Sequence, residues 1–269
     1  MRKTTRSLAS RSAVYLSRSL PRVLGRKTWI HGCALGAALF LSPSVLFAQG
    51  EEPPVYRARY TARGILADGL LRDWPYGEAV LMTPARHRLS GEFGEPSKVQ
   101  AKVRFVWDDT FLYLGAKVTD DDVVVRRSGK HAGRDDFAEL FVDPAGDGFS
   151  EADPGDFVLG FRPRKDDKNT VVWRRSRVGE EPVEAPQVFA ASYSDEKGYI
   201  IEAAIRWDFL GIVPHDGEVV RLSPAVHTMD RETGAGRLMW FYREEGVPPA
   251  RRLGKVILDG QGRGGREKK

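Results

Sequence analysis

About ten short strand-like runs, separated by Gly, Asp and Pro turns and with no long helical period after residue 54, constrain this chain most. The runs are 99–107, 111–118, 137–142, 157–162, 170–175, 188–193, 199–205, 219–222, 238–242 and 255–258. In Val103-Arg104-Phe105-Val106-Trp107 the odd-numbered positions are all apolar, the alternation of a half-buried strand. Strands of this length and spacing make an all-β fold. The arrangement expected is a two-sheet antiparallel β-sandwich, jelly-roll-like, behind a helical N-terminal leader. Short helical turns are expected near residues 73–76 and 207–210. The chain shows no internal repeat and no second domain.

Residues 1–48 carry eight basic residues and no acidic one, and a mostly apolar run from Cys33 to Phe47 ends at Ala48. That order is the layout of a signal peptide cleaved near Ala48. The other reading is an uncleaved anchor, although Pro43 and a length short of the ~20 residues of a span oppose it. Cleavage places the domain in the periplasm or outside the cell, with no stable membrane insertion. Residues 49–54 form a polar linker, 55–258 the domain, and the Gly/Arg/Lys-rich 259–269 a tail with nothing to bury and expected to be disordered. Of 42 basic and 37 acidic residues the leader holds eight basic ones, which leaves 34 against 37. The high isoelectric point therefore belongs to the leader, and a surface for nucleic acid is not supported. The single cysteine, Cys33, lies in the leader, so the domain has no disulfide and depends on its core.

Four segments follow one another in the order of a known family. They are Ile65-Leu66-Ala67-Asp68-Gly69-Leu70-Leu71-Arg72-Asp73-Trp74, Val106-Trp107-Asp108-Asp109-Thr110-Phe111-Leu112-Tyr113-Leu114, Asp135-Asp136-Phe137-Ala138-Glu139-Leu140-Phe141-Val142-Asp143-Pro144, and Gly198-Tyr199-Ile200-Ile201-Glu202-Ala203-Ala204-Ile205-Arg206-Trp207. Together with the closing Leu253-Gly254-Lys255-Val256 they resemble the family 9 carbohydrate-binding modules and related DOMON-type β-sandwiches, over nearly all of the domain. The resemblance implies an exported domain that binds a polysaccharide or oligosaccharide without cleaving it. The alternative is an exported structural or protein-interaction sandwich that has lost the sugar site.

Each motif also has a plain physical reading. Asp108 and Asp109 serve a turn between strands, and Trp74 and Trp207 anchor the core, each needing one partner for its indole N–H. Glu202 lies in an otherwise apolar strand, and a basic or polar side chain on the neighbouring strand is the simplest partner. Glu139 shares a strand face with Phe137 and Phe141, where a carboxylate needs a reason. It is either a satisfied structural group or, as the resemblance implies, the acceptor for sugar hydroxyls. Around it the expected ligand cluster is Asp136, Arg134 and His131, with Trp240 and Tyr242 as aromatic contacts. The two loops where the family places tryptophan platforms, 130–134 and 246–251, contain none here. Each lost platform removes ~100 Å² of stacking, roughly 2.5 kcal/mol.

The acidic connection holding Asp143, Asp147 and Asp153 suits either a hairpin turn or calcium, and calcium is the one cofactor the sequence suggests. Asp120-Asp121-Asp122 is a weaker acidic stretch of the same kind. The methionines and histidines show no spacing for haem. No nucleophile elbow, zinc spacing or phosphate loop appears, so no catalytic residue is expected and the domain reads as a binder, not an enzyme.

Overall fold

A computed structural model describes residues 52–75, 77–91, 93, 98–125, 135–150, 153, 155–163, 171–175, 183–185, 187–231, 233–242 and 252–261. The leader, its expected helix and the C-terminal tail beyond 261 lie outside them. The strands are β1 (Val55–Tyr60), β2 (Val80–Met82), β3 (Arg88–Ser90), β4 (Gln100–Trp107), β5 (Phe111–Thr119), β6 (Phe137–Asp143), β7 (Phe157–Arg162), β8 (Val171–Arg175), β9 (Val183–Glu184), β10 (Val188–Asp195), β11 (Gly198–Arg206), β12 (Val219–Asp230), β13 (Gly234–Met239) and β14 (Lys255–Asp259). Two single-turn helices, α1 (Pro84–His87) and α2 (Trp207–Leu210), are the only helices among the described residues. The fold is all-β. The helical turn expected at 73–76 is absent from its described part, 73–75, whose backbone follows Trp74 into a buried site.

Alternation builds the interior. Ala101, Val103, Phe105 and Trp107 of β4 face Leu112, Leu114, Ala116 and Val118 of β5. Across from them stand Ala138, Leu140 and Val142 of β6 and Phe157, Leu159 and Phe161 of β7, and all of these belong to one buried cluster. The opposite parity of each strand points outward, as the pleat requires. Hydrogen bonding differs from two separate antiparallel sheets. The order runs β10-β11-β5-β4-β1-β14-β12-β6-β7-β8-β9 without a break. Strand β1 joins the halves, parallel to β14 over Val55–Arg59 and parallel to β4 at Arg59–Tyr60. Long chain excursions separate β1 from both partners, and parallel pairing needs such connections.

The largest departure from the sequence reading is β12. Alternation ended it at Leu222, whereas it continues to Asp230 through Pro224. Proline is tolerated here because of where its nitrogen points. The Pro224 carbonyl accepts from the Trp240 amide on the β13 side, so the missing N–H is on that side too. There β14 has ended its pairing at Arg221 and β13 begins at Ala225, so no ladder bond is lost.

Residues 61–75 strap the outer face of β4, β5 and β11, covering Val106, Tyr113 and Ala204 with Ile65 and Trp74. Glu202 of β11, wholly buried, fastens the strap. Its Oε2 accepts from the amides of Asp68, Gly69 and Leu70 at 3.0, 2.5 and 3.0 Å. Its Oε1 accepts from the Leu71 amide at 3.0 Å and the Trp74 indole at 2.6 Å. The partner is thus backbone and indole, not a basic side chain on the next strand. Gly115 lies beneath, where a Cβ would come within 2.8 Å of Leu71 and Trp74. Trp207 is the second anchor, 3% exposed, with its indole donating to the Asp108 carbonyl at 2.8 Å. Glu202→Ala strands several buried donors and should lower unfolding free energy in urea by about 3 kcal/mol or more. Trp74→Phe, losing one donor, should cost about 1–2 kcal/mol.

Candidate functional site

On the far side of the sandwich the outer face of β6, β7, β12 and β13 is buried as well, with Phe137, Glu139 and Phe141 at 5, 4 and 2% exposure. Register aligns Glu139 with Gly160 of β7 and Ala225 of β12, and continues to Met239 of β13. The next row aligns Phe137, His227 and Arg237. Phe141, Val158, Ala225, Met239, Phe149 and Leu253 form a buried apolar cluster on this face, and Tyr242 packs against it.

Glu139 is 4% exposed and paired with Arg237, whose guanidinium reaches diagonally past the small Ala225. The same guanidinium lies 5.0 Å from the centre of the Phe141 ring, a cation–π position. Arg162 of β7 reaches Asp135 at 3.4 Å, and Asp135 is fully buried. The Nε atoms of Arg162 and Arg237 are closed to solvent with no hydrogen-bond partner among the described residues. His227 stacks on Phe137, with ring centres 4.8 Å apart and planes 20° off parallel. Its Nδ1 is 3.1 Å from the Asp135 carbonyl, which can only accept, so Nδ1 carries the hydrogen and Nε2 is left as an acceptor. Burial lowers the pKa of His227 and the Arg237 charge lowers it further, so the ring stays neutral. His227 and Arg237 were missed by sequence reading because both lie in stretches of β12 and β13 beyond the strands it recognised.

The expected residues divide among several places. Glu139 and Tyr242 are on this face. Trp240 is half-buried and turns toward the interior, where its ring packs so closely on Gly254 that a Cβ there would come within 2.4 Å of it. His131 and Arg134 lie outside the described residues, as do the loops 130–134 and 246–250 and Arg251. Asp136 does not join the face. Strand alternation turns its carboxylate the other way, where it accepts from the amides of Val124 at 2.7 Å and Met229 at 2.6 Å. Burial raises its pKa to about 8, with Asp120 and Asp122 adding to the rise and the two amides opposing it.

The acidic connection is a self-capped turn. Asp143 accepts from the amides of Gly146 at 2.6 Å and Gly148 at 2.9 Å, and Asp153 accepts from Gly155 at 2.7 Å. Asp147 is exposed. Asp156 accepts from Ser150 at 2.6 Å, and burial raises its pKa to about 7. Among the described residues no three acidic, histidine or cysteine side chains form a group that could hold a metal ion. In the other acidic stretch Asp120 accepts from Thr228 Oγ1 at 2.7 Å, and Asp122 pairs with Arg231 at 3.1 Å.

With this geometry in view, the comparisons with known proteins decide the family. Residues 67–261 match the family described as carbohydrate family 9 binding domain-like. The chain belongs to that family. Among solved structures it is similar to a carbohydrate binding module family 9 from Caldicellulosiruptor kristjanssonii in complex with cellotriose. That match has 18% identity and a TM-score of 0.52, over 77% of this chain and 94% of that one. A family 9 module from the same organism in complex with glucose matches at 19% identity and a TM-score of 0.49, over 76% and 96%. No curated protein matches the chain. At these identities the likeness is one of fold.

Two buried carboxyls set a pH dependence. Asp136 and Asp156 ionise near 8 and 7 in the folded protein, against ordinary values near 4 in the unfolded chain. The unfolded state therefore binds fewer protons across this window, and stability should fall as pH rises from about 4 to about 8, then level off. Urea unfolding at a series of pH values measures this, and Asp136→Asn should flatten the upper part of the slope whatever its own cost.

Proposed function

We propose that this family 9 domain binds a polysaccharide or oligosaccharide, without cleaving it, on the outer face of β6, β7, β12 and β13. The observation that carries the reading is the pairing of Glu139 with Arg237 above Phe141. It sets an ionised acceptor and a planar donor over an aromatic floor, and His227 Nε2 adds a neutral acceptor. A sugar offers hydroxyls that both donate and accept and a C–H face that packs on rings, so its chemistry matches this lining. Hydrolysis would need two carboxylates flanking the bond, one of them protonated. Here Glu139 and Asp135 are each paired with a guanidinium.

Cello-oligosaccharide is the first probe, since the family 9 module from C. kristjanssonii was solved with cellotriose. Glu139→Gln keeps the shape and removes the charge. Calorimetric titration with cellotriose should show affinity reduced about tenfold or more, with the melting temperature little changed. A variant that unfolds while the wild type binds no sugar would return the domain to the alternative, an interaction sandwich.

We infer further that the domain is exported and its leader removed. The basic run, the apolar run and Ala48 support this. Among the described residues no helix is long and apolar enough to cross a membrane. Sequencing of protein recovered from the producing cells should find an N-terminus near Gln49. An intact Met1 on cytoplasmic protein would refute export.

A further inference from the structure

A second feature lies away from the Glu139 face, where β4 shares one edge between two strands. Strand β2 pairs with Ala101–Val103 and β1 pairs with Val106–Trp107. Arg104 and Phe105, between them, have no strand partner on that edge. The gap is closed on the inside by Tyr56, whose hydroxyl accepts from the Phe105 amide at 3.3 Å and lies 3.4 Å from the Phe105 carbonyl. On the outside it remains a cleft of about 150 Å³, with Arg57, Arg59 and Arg104 in its walls and Glu78, Asp259 and Pro75 among its other lining residues.

Three guanidiniums in so small a cleft repel one another, and the expected remedy is an ion pair for each. Among the described residues none of the three makes an ion pair or a side-chain hydrogen bond, although Glu78 and Asp259 are in the same walls. Arg104 Nε is closed to solvent and has no acceptor. A donor shut away from water and left without an acceptor calls for one. The positive charge also spreads along the same face. Lys102 is directly opposite Lys117 across the β4–β5 ladder, a like-charge pair that disfavours the sheet. This concentration stands in a domain whose acidic residues outnumber its basic ones once the leader is set aside.

We propose that the Arg57–Arg59–Arg104 cleft binds the oxyanion of an acidic saccharide, a carboxylate or a sulfate ester. Guanidinium groups match both anions through paired N–H donors. The volume admits one such substituent and not a whole sugar ring with its neighbours, so the rest of the saccharide would extend over the Lys102–Lys117 surface. The cleft and the Glu139 face are on different parts of the β-sandwich, and this site does not depend on the sugar reading of that face.

The test is calorimetric titration of the purified protein with three probes: trigalacturonate, neutral galactotriose and a sulfated disaccharide. Binding of either acidic probe but not galactotriose is expected, weakening as salt rises from 50 to 500 mM. The two acidic arms tell carboxylate from sulfate. The double variant Arg57→Gln/Arg104→Gln should lose at least tenfold in affinity with its melting temperature kept, whereas Arg104→Lys should retain part of it. Cellotriose affinity should be unchanged in the double variant and reduced about tenfold or more in Glu139→Gln, which separates this site from the other. Should neither acidic probe bind at millimolar concentration, or should the double variant bind as well as wild type, the proposal is wrong. If the double variant does not fold, chemical-shift changes on wild type decide, and they must centre on Arg57 and Arg104.

Discussion

One carboxylate holds the N-terminal half of this domain in place. Glu202 accepts from four consecutive backbone amides and an indole, all from residues 68–74. Burial raises its pKa, and the amides of the strap and the Trp74 indole oppose that rise. A carboxylate taken out of water costs several kcal/mol unless its lone pairs are filled. Here they are filled by donors that would themselves be orphaned in a loop crossing an apolar face. Each side therefore solves the other's problem, which is why an irregular segment can cover a sheet without forming a strand. With the strap in place, Trp74 and Leu71 close over Gly115 and seal the outer face of β4 and β5.

The sandwich needs a second joint, and β1 supplies it. By running parallel to both β4 and β14 it leaves neither half with an open edge at the seam. The short β1–β4 pairing means the seam is incomplete, and the Tyr56 hydroxyl bridges it, accepting from the Phe105 amide and donating to the Glu78 carbonyl at 3.0 Å. The arginine cleft is a by-product of this topology: a strand edge divided between two partners cannot be filled along its whole length.

Much of this was legible in the residues. Alternation located β4, β5, β6, β7 and β11 to within a residue or so, since each buries one parity in the interior and follows a turn with recognisable chemistry. Asp108, for instance, caps the β4–β5 turn through the amides of Thr110 and Phe111, both at 2.7 Å. Strand β12 was half hidden because Pro224 and His227 interrupt its apolar pattern, and β1 because Arg57 and Arg59 give it the look of a polar lead-in. His227, Arg57 and Arg59 also belong to the two candidate sites. A polar residue that interrupts the apolar pattern hides the strand that carries it. Pairings across the sheet, such as Arg237 with Glu139, depend on register between distant strands and have no local signal.

Both halves of the sandwich carry a glutamate on an outer strand face amid apolar neighbours, Glu139 and Glu202. What separates them is the nature of their donors. Backbone amides are fixed by the chain, so Glu202 cannot exchange them for a ligand without dismantling the strap. Arg237 holds Glu139 through a long side chain that is partly exposed, 23%. The Glu139 pair joins two side chains, whereas the strap occupies both oxygens of Glu202 with donors from residues 68–74. The cost of removing water from Glu139 is already met by Arg237, and the cation–π contact with Phe141 keeps that arginine from swinging away. The same residue type is tied to backbone under one surface and to a side chain under the other, because its donors come from different parts of the chain.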